Sequence, residues 1–206
     1  MKIIAINGSP RKGGNTEIAL NTMAEELKKR GIETEFVNVG GQAVRGCVAC
    51  NYCWEHGKCV FGKDPVNETA EKIAQADGFI IASPTYYAGI SGTMKCFLDR
   101  LFYSASGKFR HKAACALAVV RRSGGVDVFH QLNSYLHLAE VITPPTQYWV
   151  VAHGCEKGEL NGDAEGLQTI RRAARGLAWV LELLENGKGK VDAPEGEGRI
   201  FMNFIR

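Results

Sequence analysis

At 206 residues and 45% hydrophobic content, the chain has the size of one domain and enough apolar mass to bury a full core. Its 25 basic and 22 acidic residues leave a net charge of +3, which marks neither a nucleic-acid-binding nor a membrane surface, and no apolar run approaches the ~20 residues of a membrane-spanning helix. Seven cysteines, an odd number, argue against a disulfide framework, and Met1 opens directly on an apolar run rather than a signal peptide, so the expected compartment is the cytoplasm.

The first predicted strand, 2–7, carries Ile3-Ile4-Ala5-Ile6 and runs into Asn7-Gly8-Ser9-Pro10-Arg11-Lys12-Gly13-Gly14-Asn15-Thr16, followed by a helical pattern over 15–30. A glycine-rich turn that opens a helix leaves backbone N–H groups unpaired at the positive end of the helix dipole, which makes an anion site. Ser9, Asn15 and Thr16 add side-chain donors, and Arg11 and Lys12 add charge, an inventory suited to a phosphate monoester. No Gly-Lys-Ser/Thr closes the loop as in a Walker A motif. Gly8-x-x-x-x-Gly13 is not the dinucleotide fingerprint either, and the second strand, 33–39, ends at Asn38-Val39 without an acidic residue for a ribose.

Further along, the spacing predicts strands over 78–83, 113–121 and 147–152, and helices over 65–76, 91–104, 126–140 and 163–185. Strict alternation of strand and helix means a parallel sheet with helices on both faces, an α/β three-layer sandwich. With an anion loop after the first strand, the expected order of the five strands is 2-1-3-4-5. Residues 1–186 form one domain in this reading, and 187–206 a polar tail whose apolar end, from Ile200 to Ile205, is expected to clamp a neighbouring subunit or the chain's own core.

Residues 40–64 lack periodicity and follow the second strand, so they leave from the carboxyl edge of the sheet, where such folds bind ligands. This segment holds Cys47-x2-Cys50-x2-Cys53-x5-Cys59. Thiolates packed this closely suit a [4Fe-4S] cluster or zinc, and free thiols that shape a substrate-side loop remain a third possibility. Cys96, Cys115 and Cys155 are scattered and read as small core residues or inert thiols. Cys115-x5-Arg121 formally matches a cysteine phosphatase loop, but the residues between are an apolar strand with no glycine to wrap a phosphate.

Three motifs occur in order: Gly8-Ser9-Pro10-Arg11-x-Gly13-x-Asn15-Thr16, then Ala82-Ser83-Pro84-Thr85-Tyr86-Tyr87-Ala88-Gly89, then Phe97-Leu98-Asp99-Arg100. Together they resemble the flavodoxin-like NAD(P)H-dependent FMN reductase superfamily, over most of the chain to about Glu185. The resemblance implies that the first loop, with Ser9, Arg11, Lys12, Asn15 and Thr16, binds the FMN phosphate. Pro84, Thr85, Tyr86, Tyr87, Ala88 and Gly89 would lie along the isoalloxazine ring, and the loop Arg122-Ser123-Gly124-Gly125 would contact the flavin. Arg121 and Arg122 would sit near the pyrimidine edge, where cations favour negative charge on the reduced ring. Trp149, His153 and Gly154 would border the pocket.

The cysteine spacing resembles the compact motif of the iron-sulfur flavoproteins, a branch of the same superfamily in which the cluster passes electrons to FMN across a subunit contact. On that resemblance Cys47, Cys50, Cys53 and Cys59 would all be ligands, though similar loops occur in plain flavoproteins. The implied function is an FMN-dependent oxidoreductase that takes electrons from NAD(P)H and delivers them to a small acceptor such as a quinone or a flavin. The alternative is an electron carrier serving protein partners; a redox- or FMN-sensing module is a further reading. A homodimer or higher homo-oligomer is implied, with Phe97, Asp99, Arg100 and Tyr103 on the interface helix. No general acid or base is assigned.

Overall fold

Five parallel strands and one short antiparallel strand build the sheet of this computed structural model, which describes residues 1–198, 200 and 202. The elements in chain order are β1 (Lys2–Asn7), α1 (Asn15–Lys28), β2 (Glu33–Asn38), α2 (Tyr52–His56), α3 (Val66–Gln75), β3 (Gly78–Tyr86), β4 (Gly89–Ile90), α4 (Gly92–Ala105), β5 (Ala113–Val120), α5 (Gly125–Leu138), β6 (Val151–His153) and α6 (Ala164–Gly187). The parallel strands run β2-β1-β3-β5-β6, which is the expected 2-1-3-4-5 order once β4 is set aside.

Residue alternation along the strands divides the core in two. Ile4, Ile6, Phe79, Ile81, Ala114 and Ala116 face α3, α4 and α5, while Ile3, Ala5, Ile80, Ala82, Cys115 and Leu117 face α1 and α6. Side chains alternate across a pleated strand, so a strand covered on both faces must be apolar throughout. All eight residues of β5 are accordingly buried. Cys115 lies within this strand, and burial pushes its thiol up to about 12, so it is no phosphatase nucleophile.

Three elements differ from the sequence expectation. The third strand continues past Ser83 to Tyr86, because Thr85 and Tyr86 pair antiparallel with Ile90 and Gly89 around a two-residue turn. Both turn residues, Tyr87 (φ 49°) and Ala88 (φ 58°), are left-handed, as a type I′ hairpin requires, yet neither is the usual Asn or Gly. The last strand is shorter than expected: the chain bridges to β5 at Ile142, turns away at Pro144-Pro145, which packs on Gly176 of α6, and rejoins β5 at Val151. The long loop 40–64 contains α2, a helix of five residues.

On α4, Phe97 and Arg100 are fully buried in the chain's own core, so neither reaches a partner from the proposed interface helix; Asp99 and Tyr103 keep exposed surface. The side chains of Ile200 and Met202 are exposed, whereas Phe201 and 203–205, the rest of the expected clamp, lie outside the described residues. Among the described residues no helix is long and apolar enough to cross a membrane.

Candidate functional site

Four loops meet at the carboxyl edge of the sheet around a cleft of about 230 Å³. Ser9 and Arg11 come from the loop after β1, Asn15 and Thr16 from the start of α1, Pro84, Thr85 and Tyr86 from β3, Val119 and Arg121 from the end of β5 and the residue after it, and Gly154 and Cys155 from the segment after β6. The first loop is folded by its own bonds. Ser9 N–H donates to Asn7 Oδ1 (3.0 Å), Arg11 N–H to Ser9 Oγ (3.2 Å), Gly13 N–H to Glu17 Oε2 (2.8 Å) and Gly14 N–H to Arg11 O (3.0 Å). The N–H groups of Lys12, Asn15, Thr16 and Glu17 have no partner among the described residues. The last three open α1, so they combine free donors with the positive end of the helix dipole.

Close packing fixes the loops against one another. A Cβ on Gly40 would fall 2.2 Å from the Ser9 carbonyl carbon, so only glycine lets the chain after β2 cross the phosphate loop. Gly124 (φ +83°) passes so near the β3–β4 turn that a Cβ would sit 2.9 Å from Ala88 Cα. Gln131 of α5 clamps the same turn, with its Nε2 donating to Ala88 O (3.2 Å) and its Oε1 accepting from Ile90 N–H (3.2 Å). Thr85 lines the cleft, and its Oγ1 is buried with no hydrogen-bond partner among the described residues. A buried hydroxyl left unpaired costs free energy that a ligand atom can recover.

A second cavity of about 400 Å³ adjoins the cleft across Arg121-Arg122 and His153-Gly154. Arg122, Ser123, Gly124, Gly125, Tyr148, Trp149 and His153 line it. His153 Nδ1 lies 3.5 Å from Asp163 Oδ2, and Asp163 also caps α6 by accepting from Gly166 N–H at 2.9 Å.

The four-cysteine loop forms a separate site on α4. Cys47, Cys50, Cys53 and Cys59 border one cavity of about 20 Å³ with Val48, Val60, Phe61, Arg100 and Tyr103. Left-handed residues Ala49 (φ 50°), Asn51 (φ 58°) and Gly57 (φ 61°) bend the chain tightly around it. Burial pushes the Cys53 thiol up, and the three neighbouring cysteines add to the shift. Asn67 of α3 holds the Cys59 backbone at both groups, at 2.9 and 2.8 Å. Arg100 donates to Cys59 Sγ at 3.2 Å and is ion-paired with Asp64. Burial alone would lower the Arg100 guanidinium, but Asp64 and Cys59 hold it above its ordinary value. Among the described residues, no three His, Cys, Asp or Glu side chains are close enough to hold a single metal ion.

The NADPH-dependent FMN reductase family matches residues 1–156, which include the phosphate loop, β3 with its turn, and the cysteine loop. This chain belongs to that family. Two relatives named iron-sulfur flavoprotein match nearly end to end. One, from Methanocaldococcus jannaschii, is 36% identical over 197 residues (90% of this chain, 100% of the relative), and one from Methanosarcina thermophila is 32% identical over 199 residues (92% and 100%). Among solved structures, RosB with its bound intermediate 8-demethyl-8-formylriboflavin-5'-phosphate superposes with a TM-score of 0.73 at 19% identity, covering 100% of this chain and 94% of RosB; at that identity it shows the fold.

The cleft suits the FMN of this family: free N–H donors at a helix start answer a phosphate, and the orphaned Thr85 hydroxyl answers a polar group beyond it. Ser9, Arg11, Asn15, Thr16, Pro84, Thr85 and Tyr86 meet there as expected. Lys12 is exposed on the loop, Tyr87 is fully exposed, Ala88 completes the turn and Gly89 pairs with Tyr86 from β4, and Arg122–Gly125 line the adjacent cavity instead. The Asn15 side chain is directed elsewhere, donating to Glu156 O (2.9 Å) and accepting from Gly158 N–H (3.0 Å), so it ties the segment after β6 to the phosphate loop.

That segment is where sequence reasoning fell short. It brings in Cys155, whose carbonyl accepts from Arg11 Nη1 (3.1 Å), and Lys157, whose Nζ lies 2.8 Å from where a Gly13 Cβ would be. The available signal was topological: Cys155-Glu156-Lys157-Gly158 follows the strand that ends at the same sheet edge.

Proposed function

We propose that this chain is an FMN-dependent oxidoreductase that passes electrons from NAD(P)H through bound FMN to a small acceptor such as a quinone or a free flavin. The observation that carries the reading is the convergence, in one cleft, of unpaired N–H groups at the start of α1 and the unpaired Thr85 hydroxyl. FMN, when bound, supplies the hydride and single-electron chemistry. The protein supplies the rest. The α1 start and Arg11 bind the phosphate, Thr85 fixes orientation by one hydrogen bond, and Tyr86 offers an aromatic surface at the rim. Arg121 favours negative charge in the cleft. The adjoining cavity, with Tyr148 and Trp149 at its wall, would receive the electron donor or acceptor. Steady-state oxidation of NADH and NADPH by FMN-loaded protein, with and without a quinone, tests this. Turnover that requires FMN supports it, and its absence with every acceptor defeats it.

A second reading is an iron-sulfur flavoprotein that carries electrons between FMN and protein partners. It is favoured by four thiols bordering one apolar cavity beside a buried cation, and by the name shared by the two relatives. The donor set fits such a group: all four candidates are soft sulfur ligands, and Cys47, Cys50, Cys53 and Cys59 would hold it. It would supply one-electron transfer. Iron and acid-labile sulfide, at about four irons per chain for a cubane, together with negligible NAD(P)H turnover, would select this reading. A cytoplasmic homodimer, with Asp99 and Tyr103 on the exposed side of α4 available to a second copy, completes the proposal, and a monomeric solution mass would remove that part.

A further inference from the structure

Arg100 is the one arginine among the described residues whose side chain is fully buried, and it lies against the cysteine loop rather than the flavin cleft. A guanidinium carries five N–H donors in a rigid fork. Here all five have acceptors. Nη1 donates to Asp64 Oδ2 and to Arg45 O (3.3 Å), Nη2 donates to Phe61 O (2.9 Å) and Asp64 Oδ1 (3.1 Å), and Nε donates to Cys59 Sγ (3.2 Å). Asp64 therefore neutralises the buried cation, the two carbonyls fix the loop backbone, and a single donor remains for sulfur. The Cys59 backbone is independently held by Asn67 from α3. Cys47 and Cys50, by contrast, are exposed. One thiol of the four is thus held from two helices, and a cation hydrogen bond ends on its sulfur.

We propose that Arg100 is a positioning residue that fixes the Cys59 sulfur through an Nε–H···S hydrogen bond and thereby raises the reduction potential of the iron-sulfur group the four cysteines hold. The potential part rests on the iron-sulfur reading above; the hydrogen bond does not. Hydrogen bonds to ligand sulfur stabilise the more electron-rich, reduced form, so they raise the potential. A lysine at this position keeps the cation but has three donors on a flexible stem and no Nε–H fork, so it cannot serve Asp64, two carbonyls and the sulfur together.

The test has two arms. In the first, wild-type protein and Arg100→Lys, both purified without oxygen, are titrated potentiometrically and followed by electron paramagnetic resonance. The variant's midpoint should fall and its reduced spectrum should change; an unchanged midpoint overturns the tuning role, since a merely structural arginine would alter stability alone. In the second, the arginine Nε–H resonances of metal-free wild-type protein are compared with those of Cys59→Ala. One Nε–H should exchange with solvent at least about tenfold more slowly than those of exposed arginines, and its resonance should move and its exchange quicken in Cys59→Ala. A wild-type spectrum with no protected Nε–H, or one that Cys59→Ala leaves untouched, overturns the proposal. Wild-type protein that contains no iron defeats the iron-sulfur reading and with it the potential part, while the second arm still decides the hydrogen bond. The second arm also decides it if Arg100→Lys does not fold.

Discussion

Thr85→Val separates the flavin cleft from ordinary packing, because its effects on the free and the loaded protein have opposite signs. Valine is nearly isosteric and β-branched like threonine, so β3 and its hairpin keep their geometry. In the free protein Thr85 Oγ1 is buried without a partner. Removing such a group relieves a penalty of about 1–3 kcal/mol. For a chain of this size, each 1 kcal/mol corresponds to about 2–4 °C in Tm. The FMN-free variant should therefore melt a few degrees higher than wild type. In the loaded protein the same change deletes a hydrogen bond that the free protein cannot make, so FMN affinity falls by the penalty that binding would have recovered, about 1–3 kcal/mol or roughly five- to 150-fold. Differential scanning calorimetry without FMN and fluorescence titration with FMN give the two numbers. A lower melting temperature with unchanged FMN affinity would refute the reasoning, because it would mean that the hydroxyl is bonded within the protein and faces no ligand.

Other outcomes follow from the same geometry. Arg11→Ala should weaken FMN binding about tenfold, as expected for a lost charge-assisted bond to phosphate, and leave riboflavin binding, which involves no phosphate, unchanged in a parallel titration. Replacing Tyr87 and Ala88 together by Asn and Gly should stabilise the protein by about 1–2 kcal/mol in urea unfolding, because both positions are left-handed and the new pair favours that conformation. Glu26 is buried between Lys29 (2.5 Å) and Arg175 (2.9 Å), whose hydrogen bonds hold its carboxyl below the usual 4.5. A depressed folded value means stability that is present above the unfolded value and lost as pH falls through the folded one. The melting-temperature gap between wild type and Glu26→Gln should therefore be full at neutral pH, narrow as pH falls below 4.5, and close only once the pH has passed the lowered folded value.

The parts of the fold that follow from apolar periodicity were legible in the sequence: the five parallel strands, their order, and the five long helices. The free N–H groups of the loop after β1 were legible because a strand, a glycine turn and a helix start dictate them regardless of the remaining fold. The β3–β4 hairpin was hidden because Tyr87-Ala88 adopts a turn without the residues that usually announce it, and Gln131, 41 and 43 residues from its partners Ile90 and Ala88, stabilises it. Arg100 was misread as an interface residue. The interface assignment came from family resemblance alone, and only the return of Asp64 and Cys59 from the long loop shows how the burial of this residue is compensated. The Asn15 side chain looked like a ligand donor for a related reason: its partners, Glu156 and Gly158, lie 141 and 143 residues away. Local pattern reports what a residue offers; long-range pairing decides who receives it.

The most direct test of the central claim is the visible spectrum of protein purified without oxygen and supplied with FMN, recorded before and after NADPH, with iron and sulfide assayed on the same sample. The account predicts bound flavin whose absorption NADPH bleaches, and FMN retained at near-equal molar ratio to the chain. Protein that takes up no FMN, or holds it in a form that NADPH and NADH both leave oxidised, would contradict it.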